Sequence, residues 1–400
     1  MQVLFISYDG MTDTLGQSQV LPYLVGLSQL GYQITIVSAE KKENFEKRKN
    51  IIEQITQNAS IDWQYIFYTK KPPIFSTLYD VYRLKKKVKI ICKEKNIKIL
   101  HCRSYISALI GLALQKKMQV KFLFDMRGFW ADERVDGGLW NLKNPLFRKV
   151  YHFFKEKEKQ FIQKADYIIS LTHEAKKEIE SWHLKEKHNI EVIPCCVDIN
   201  VFDYQKTSHI PKNKDFTISY LGSLGTWYML PEMIDLFKVI KEKYVNAHFL
   251  LITPDSPTLV EEEISKKNLD KKDFTIQSAE RKEVPQLLAK SHLNLFFVKP
   301  AYSKKASSPT KMGEVLAAGL PIIANTNVGD NQYLFEKYNC GVLLDEFSTK
   351  EYNNITNQIE KILTIPKENL KNIAEEYFSL EKGIKKYANV YRFLIEKNNF

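Results

Sequence analysis

A chain of 400 residues, 44% hydrophobic and 26% charged, is longer than one core usually grows, so two globular domains are expected and a disordered chain is excluded. The net charge of +12 is uneven, with 32 Lys and Arg against 22 Asp and Glu in residues 1–200 and 27 against 25 beyond, which points to an acidic partner for the first half, a phosphate-rich membrane surface or nucleic acid. The longest uncharged apolar stretch, Tyr105 to Leu114, falls short of the roughly 20 residues of a membrane span, and the start MQVLFISYDG lacks a basic segment, so a soluble protein kept in the cytoplasm is expected.

In chain order, QVLFIS reads as a buried strand, QSQVLPYLVGLSQLG as an amphipathic helix stopped by Gly31, and YQITIVSAE as a second strand. The alternation continues through helical KKENFEKRKNIIEQI, strand DWQYIFYT, a long basic helix from Leu78 to Asn96, strand IKILHCR, helix SYISALIGLALQKK and strand KFLFDMRG. Helical FRKVYHFFKEKEKQFIQKA, strand DYIISLT, helix HEAKKEIESW and strand IEVIPCCVD close the first half. A polar segment, INVFDYQKTSHIPKNKD, precedes a restart. FTISYLGSLG, helix MLPEMIDLFKVIKEKY, strand AHFLLIT, helix TLVEEEISKKN, strand DFTIQSA, helix KEVPQLLAKS and strand LNLFFVK follow. Helix SPTKMGEVLAAG, strand LPIIANT, helix GDNQYLFEKYN and a last helix EKGIKKYANVYRFLIEK complete the chain. Strands alternating with helices imply parallel, doubly wound sheets. The expected division is residues 1–198, residues 199–380, and a terminal segment 381–400.

In open α/β sheets, ligands bind beyond the carboxyl ends of the strands. At such an end, KKASSPTKMGEVLAAGLPIIA sets Ser307, Ser308, Pro309 and Thr310 before a helix carrying Glu314, with Lys304, Lys305 and Lys311 beside them. Helix-start N–H groups, hydroxyls and ammonium groups suit a phosphate or diphosphate, and Glu314 is placed to accept from sugar or ribose hydroxyls. An ordinary capped helix start, with Glu314 balancing the dipole, explains the same spacing. The turn YLGSLGTWYMLPE offers Gly222 and Gly225 for close backbone approach and Ser223 and Thr226 as hydroxyls; a tight strand-to-helix turn accounts for it as well. Trp227 and Tyr228 suit stacking on a base or sugar, or partial burial.

In the first half, Gly16, Gln17 and Ser18 fall at a loop-to-helix junction, and FDMRGFWADERVDGG gathers Asp125, Arg127, Trp130, Asp132, Glu133 and Arg134. Asp125 is the candidate catalytic or acceptor-binding carboxylate and Arg127 the candidate for an anionic group, an internal Asp/Arg pair being the alternative. His101 reads as a satisfied core histidine. Five cysteines, Cys92, Cys102, Cys195, Cys196 and Cys340, without zinc-like spacing, read as reduced and structural. No Asp-x-Asp occurs, so no carboxylate pair for a metal is expected, and positive side chains with helix ends are left to neutralise a leaving diphosphate.

Taken together, SSPTKMGEVLAAGLPIIA, VIPCCVDINVF, YDGMTDTLGQSQVLPYL and FDMRGFWADE resemble the segments of bacterial glycosyltransferase family 4, in a branch that builds surface polysaccharides, over about residues 3–395. The resemblance implies a GT-B fold, two Rossmann-like doubly wound domains facing across a cleft. The first would be the acceptor-side domain and the second the nucleotide-sugar domain, with a terminal helix crossing back. It implies retaining, metal-independent transfer of a sugar from a UDP-linked donor to a polyprenyl-diphosphate-linked or other lipid-linked saccharide. No cofactor and no nucleic-acid partner are expected. Glu314 is then expected at the donor ribose, and Thr310, Lys311 and the turn from Gly222 to Thr226 at the diphosphate, while Asp125 falls where relatives carry a histidine. Three departures stand out: Ala306 in place of the first glutamate of E-x7-E, Gly222-Ser223 in place of Gly-Arg, and Cys195-Cys196 in place of Asn-Gly. Arg281, Lys304 or Lys311 would compensate for the missing arginine. The basic helices 82–98 and 144–164 are expected to meet the inner face of the cytoplasmic membrane, a solvated helix face being the alternative for each. Two other readings are a nucleotide-sugar epimerase of the same fold and a non-catalytic polyanion-binding protein.

Overall fold

The computed structural model describes residues 1–185 and 189–396. The chain forms two compact units, one of residues 1–194 with the final helix Leu380–Glu396, the other of residues 195–379. Lys397, the last residue of the expected terminal helix, lies outside the described residues.

The first unit holds a seven-stranded sheet. Its strands are β1 (Gln2–Ser7), β2 (Gln33–Glu40), β3 (Asp62–Phe67), β4 (Ile99–Arg103), β5 (Lys121–Asp125), β6 (Tyr167–Ser170) and β7 (Ile190–Val192). They lie in the order β3-β2-β1-β4-β5-β6-β7, all parallel. Continuous apolar runs such as Val3–Ile6 and Phe122–Phe124 are fully buried, as a sheet covered by helices on both faces requires. The strand order reverses between β1 and β4, so their carboxyl ends part there.

Two differences from the expected elements have direct causes. The first helix is split into Thr14–Gln19 and Leu21–Gln29 at Val20, because Pro22 has no N–H to bond one turn back and its ring crowds that carbonyl. The segment after β5, to which no element was assigned, forms a short helix, Trp130–Asp136, that buries Ala131 and Asp132.

The second unit holds β8 (Thr217–Leu221), β9 (His248–Ile252), β10 (Phe274–Gln277), β11 (Leu293–Leu295), β12 (Ile322–Asn325) and β13 (Gly341–Leu344). Their order is β10-β9-β8-β11-β12-β13, again parallel, with the reversal between β8 and β11. The segment before β8, expected as a polar connection, contributes Ile199 and Phe202 to this core. Strand β13 and the helices Thr349–Leu363 and Lys367–Tyr377 complete the unit beyond the expected elements. No described helix is long and apolar enough to cross a membrane.

Candidate functional site

In the second unit, the crevice between β8 and β11 is bordered by the loop after β8 and the start of the helix Thr310–Ala317. Gly222 begins that loop at φ +115, a conformation that favours glycine, and its N–H donates to Ile252 O at 2.9 Å. A Cβ built on Gly222 would stand 3.1 Å from Lys311 Nζ, so glycine also keeps space open in front of that ammonium. The loop is held in place by Tyr220, whose hydroxyl donates to Ser223 O, and by Asp255, whose carboxylate accepts from Leu224 N–H. Ser223 and Thr226 remain exposed.

Pro309, at the N-cap position of the helix, fixes its start, and Gly319 at φ +68 follows its end, so the helix is shorter at both ends than the expected 308–319. Gly313 allows close packing, since a Cβ there would lie 2.8 Å from Phe378 Cβ. Lys311 and Glu314, one turn apart, are 6% and 7% exposed. The Lys311 ammonium has no hydrogen-bond partner. It lies 3.5 Å from the Tyr228 ring centre and 4.1 Å from that of Tyr220, so two π-faces are its surroundings. Burial drives its pKa well below the ordinary lysine value, with only Glu314 pulling the other way. Burial likewise pushes the Glu314 carboxyl up, against the pull of Arg281, whose Nη1 donates to Oε1 at 2.9 Å. Lys304, 4% exposed, holds its ammonium 3.5 Å from the Trp227 ring centre. Trp227 and Tyr228, considered for stacking on a base, thus present ring faces to lysines.

The structure therefore brings Gly222, Lys311, Glu314 and Arg281 together at one crevice. Ser308 is used differently, since its hydroxyl oxygen accepts from Cys195 N–H at 3.1 Å. Tyr220, Tyr228 and Asp255 belong to the same construction and were not singled out as a set by sequence reasoning. An aromatic two residues before the glycine that follows a strand, and another after the turn, were the available signals.

In the first unit, Asp125 ends β5 and is 3% exposed. Its Oδ2 accepts from Tyr387 OH at 3.0 Å and lies 3.3 Å from His101 Nε2, while Arg127 Nη1 is 3.8 Å from Oδ1. His101 Nδ1 is 2.7 Å from Tyr391 OH. Tyr387 and Tyr391 sit one turn apart on the final helix, so Asp125 and His101 tie that helix to the sheet. Burial pushes the Asp125 carboxyl up, but Arg127 and His101 outweigh it and hold it below the ordinary value. Burial pulls His101 down from its ordinary value of 6.5 despite Asp125. Arg127 itself stands at φ +57, unusual for a residue with a Cβ. Oδ2 thus has Tyr387 and His101 for partners, while Oδ1 has no hydrogen-bond partner and faces the Arg127 guanidinium.

Gly16 also belongs to this unit. A Cβ there would meet Gly10 O at 2.3 Å, so it admits close packing of the loop after β1. Glu40, buried at the end of β2, holds the same loop by accepting from Met11 N–H at 2.7 Å and Thr12 N–H at 3.1 Å, a role not foreseen from sequence. Among the described residues, no three His, Cys, Asp or Glu side chains gather as a metal site needs.

Comparison with known proteins adds to this geometry. Residues 19–201 match the family model described as Glycosyltransferase Family 4, and residues 202–377 match Glycosyl transferases group 1. A glycosyltransferase from Rickettsia africae is similar at 16% identity over 98% of each chain, with a TM-score of 0.70. Anabaena HepE in complex with UDP is similar at 14% identity over 98% of this chain and 100% of its own, with a TM-score of 0.69. The lipopolysaccharide outer core galactosyltransferase WaaB is similar at 12% identity over 97% and 98%, with a TM-score of 0.66. No curated protein matches the chain in sequence.

Proposed function

The chain belongs to glycosyltransferase family 4 and acts on a nucleotide sugar, and from that premise we propose retaining transfer from a UDP-sugar to a lipid-linked saccharide in surface-polysaccharide assembly. The carrying observation is Lys311, a buried ammonium without a hydrogen-bond partner, facing the space that Gly222 leaves open. An anion entering that space supplies the missing partner, and a diphosphate does so beside a helix start. UDP bound to HepE and the lipopolysaccharide role of WaaB support the choice of nucleotide and pathway class.

In this reading, Thr310, Lys311 and the helix-start amides take the diphosphate, with Ser308 and Pro309 shaping that turn. Glu314 takes the ribose hydroxyls, and Arg281 and Lys304 add positive charge. The loop Gly222–Thr226, including Ser223, approaches the phosphates. The bond from the sugar anomeric carbon to the diphosphate breaks with its electron pair on the leaving oxygen. The acceptor hydroxyl attacks the same face and passes its proton to that oxygen. Cationic side chains and amide dipoles neutralise the leaving group, and no metal is assigned to the step. In the first unit, Arg127 is assigned to an anionic group of the substrate, Asp125 to positioning it, and Gly16 to shaping the loop after β1.

Glu314→Ala is expected to weaken UDP binding about 10- to 150-fold, the range of a lost charge-assisted hydrogen bond. Calorimetric titration checks this, and unchanged affinity would remove the ribose assignment. Acceptor-dependent release of UDP tests transfer itself.

Peripheral attachment to the membrane is part of the same proposal. Helices Phe75–Glu94 and Pro145–Lys164 each carry six basic against two acidic residues, and each lysine near an anionic leaflet contributes about 1 kcal/mol. Sedimentation with vesicles containing anionic lipid at low salt is expected, with release at high salt. Equal recovery with neutral vesicles would sink the electrostatic attachment.

A further inference from the structure

The first unit contains a cavity of about 430 Å³ that none of the assigned residues uses. Its walls come from the helices Phe75–Glu94, Ser104–Met118, Trp130–Asp136 and Pro145–Lys164, and from Tyr8 and Tyr68, which directly follow β1 and β3. The lining is apolar and aromatic. Trp130 packs edge-on against Trp140 at 5.4 Å and against Phe154 at 4.8 Å. Leu78 and Phe153 line the cavity and are still 59% and 47% exposed, so the apolar lining runs out to the surface. Phe75, Tyr79 and Tyr82 on the first of these helices and Leu146 on the last are exposed as well. Such a patch on an otherwise charged face marks a binding surface.

Two charged side chains break the lining. Arg134 lines the cavity, with its guanidinium 4.1 Å from the Trp130 ring centre and 5.6 Å from that of Trp140. Its Nε is buried without a hydrogen-bond partner. Lys149 lines the cavity as well.

We propose that this cavity holds the hydrocarbon chain of a lipid whose phosphate or diphosphate head is received by Arg134. The inference rests on the lipid-linked acceptor of the preceding section and deepens it by giving the lipid its own site. The volume falls within the roughly 300–1,000 Å³ of small-molecule pockets and is too small for a docked helix. An apolar chain explains the lining, and an anion supplies the hydrogen-bond partner that the buried Arg134 Nε lacks. The basic surfaces of the two flanking helices match the charge of such a head.

The test uses the full chain and farnesyl phosphate below its micelle-forming concentration, titrated by calorimetry, with farnesol and inorganic phosphate as comparisons. UDP titration in each variant reports both folding and the donor site. Farnesyl phosphate is expected to bind the unaltered protein, and Leu109→Trp, which fills the cavity, and Arg134→Gln are each expected to weaken it about tenfold or more. UDP affinity is expected to stay unchanged in both. Absence of farnesyl phosphate binding while UDP binds, or equal binding in Leu109→Trp, overturns the cavity assignment and leaves the donor reading intact. Farnesol binding as tightly as farnesyl phosphate overturns the role of Arg134. Cavity-dependent lipid binding without UDP binding supports this site and counts against the donor reading.

Discussion

Lys311→Met is expected to make the unliganded protein more stable and to weaken its binding of UDP about 10- to 150-fold. The ammonium is buried between Tyr220 and Tyr228 with no hydrogen-bond partner, and an unsatisfied buried polar group costs about 1–3 kcal/mol. Methionine is close in shape and removes that cost. The same exchange removes a charge-assisted contact to phosphate, for a loss of about 10- to 150-fold in affinity. The pH dependence has a definite sign. Burial places the folded-state pKa of Lys311 well below the ordinary 10.5, so between the two values the unfolded chain holds a proton that the native state lacks. Stability therefore rises with pH across that window, and Lys311→Met flattens the rise. A bound diphosphate restores the cation, so UDP binding takes up a proton wherever the free protein holds Lys311 neutral. Glu314 and its partner Arg281 face the same group, and Glu314→Gln identifies any share they contribute. Titration in two buffers of different ionisation enthalpy measures the uptake. Unchanged UDP affinity in Lys311→Met, without proton uptake in the parent, would falsify the placement of the diphosphate.

Much of this fold is legible in the chain, because strands buried on both faces read as continuous apolar runs and the helices between them as amphipathic ones. Strand β13 opens on glycine, a residue weak in strands, and does not stand apart from the helix before it. The helix Thr349–Leu363 does show apolar spacing at Tyr352, Ile355, Ile359 and Ile362, but Asn353, Asn354, Thr356 and Asn357 have weak helix propensity and blur it. At the donor crevice, Lys311 and Glu314 are legible from their place at the start of a helix that follows a run of Ser, Pro and Thr. What surrounds Lys311 is not, because Tyr220 and Tyr228 reach it from a different strand and its loop. The surroundings of Asp125 are still less legible. A carboxylate at a strand end looks the same in sequence whether it faces substrate or a helix whose tyrosine lies 262 residues further on. Only the folded chain shows that Oδ2 is already occupied.

That occupancy supports the second prediction: Asp125→Ala is expected to destabilise the first unit by about 3–5 kcal/mol, the range for removing one partner of a buried charge pair. The substitution removes the carboxylate beside Arg127, 8% exposed at its side chain, and withdraws the acceptor for Tyr387 and the neighbour of His101. Tyr387→Phe removes a single hydrogen bond and is expected to cost about 1 kcal/mol. Acid should act on the same network. The lowered Asp125 value means its contribution is present above the unfolded value of 3.8 and lost as pH falls through the folded one. His101 is held neutral by burial, so its contribution is full above 6.5 and is lost as pH falls from there toward its lower folded value. The parent protein should therefore begin to lose stability just below pH 6.5, and Asp125→Ala should lack the further loss below 3.8. Hydrogen exchange localises the effect, since the amides of Leu380–Glu396 should exchange faster in Asp125→Ala than in the parent while those of β8–β13 do not. If Asp125 instead served substrate alone, exchange in the final helix would be unaltered and stability would change by less than about 0.5 kcal/mol, as for a site without structural partners.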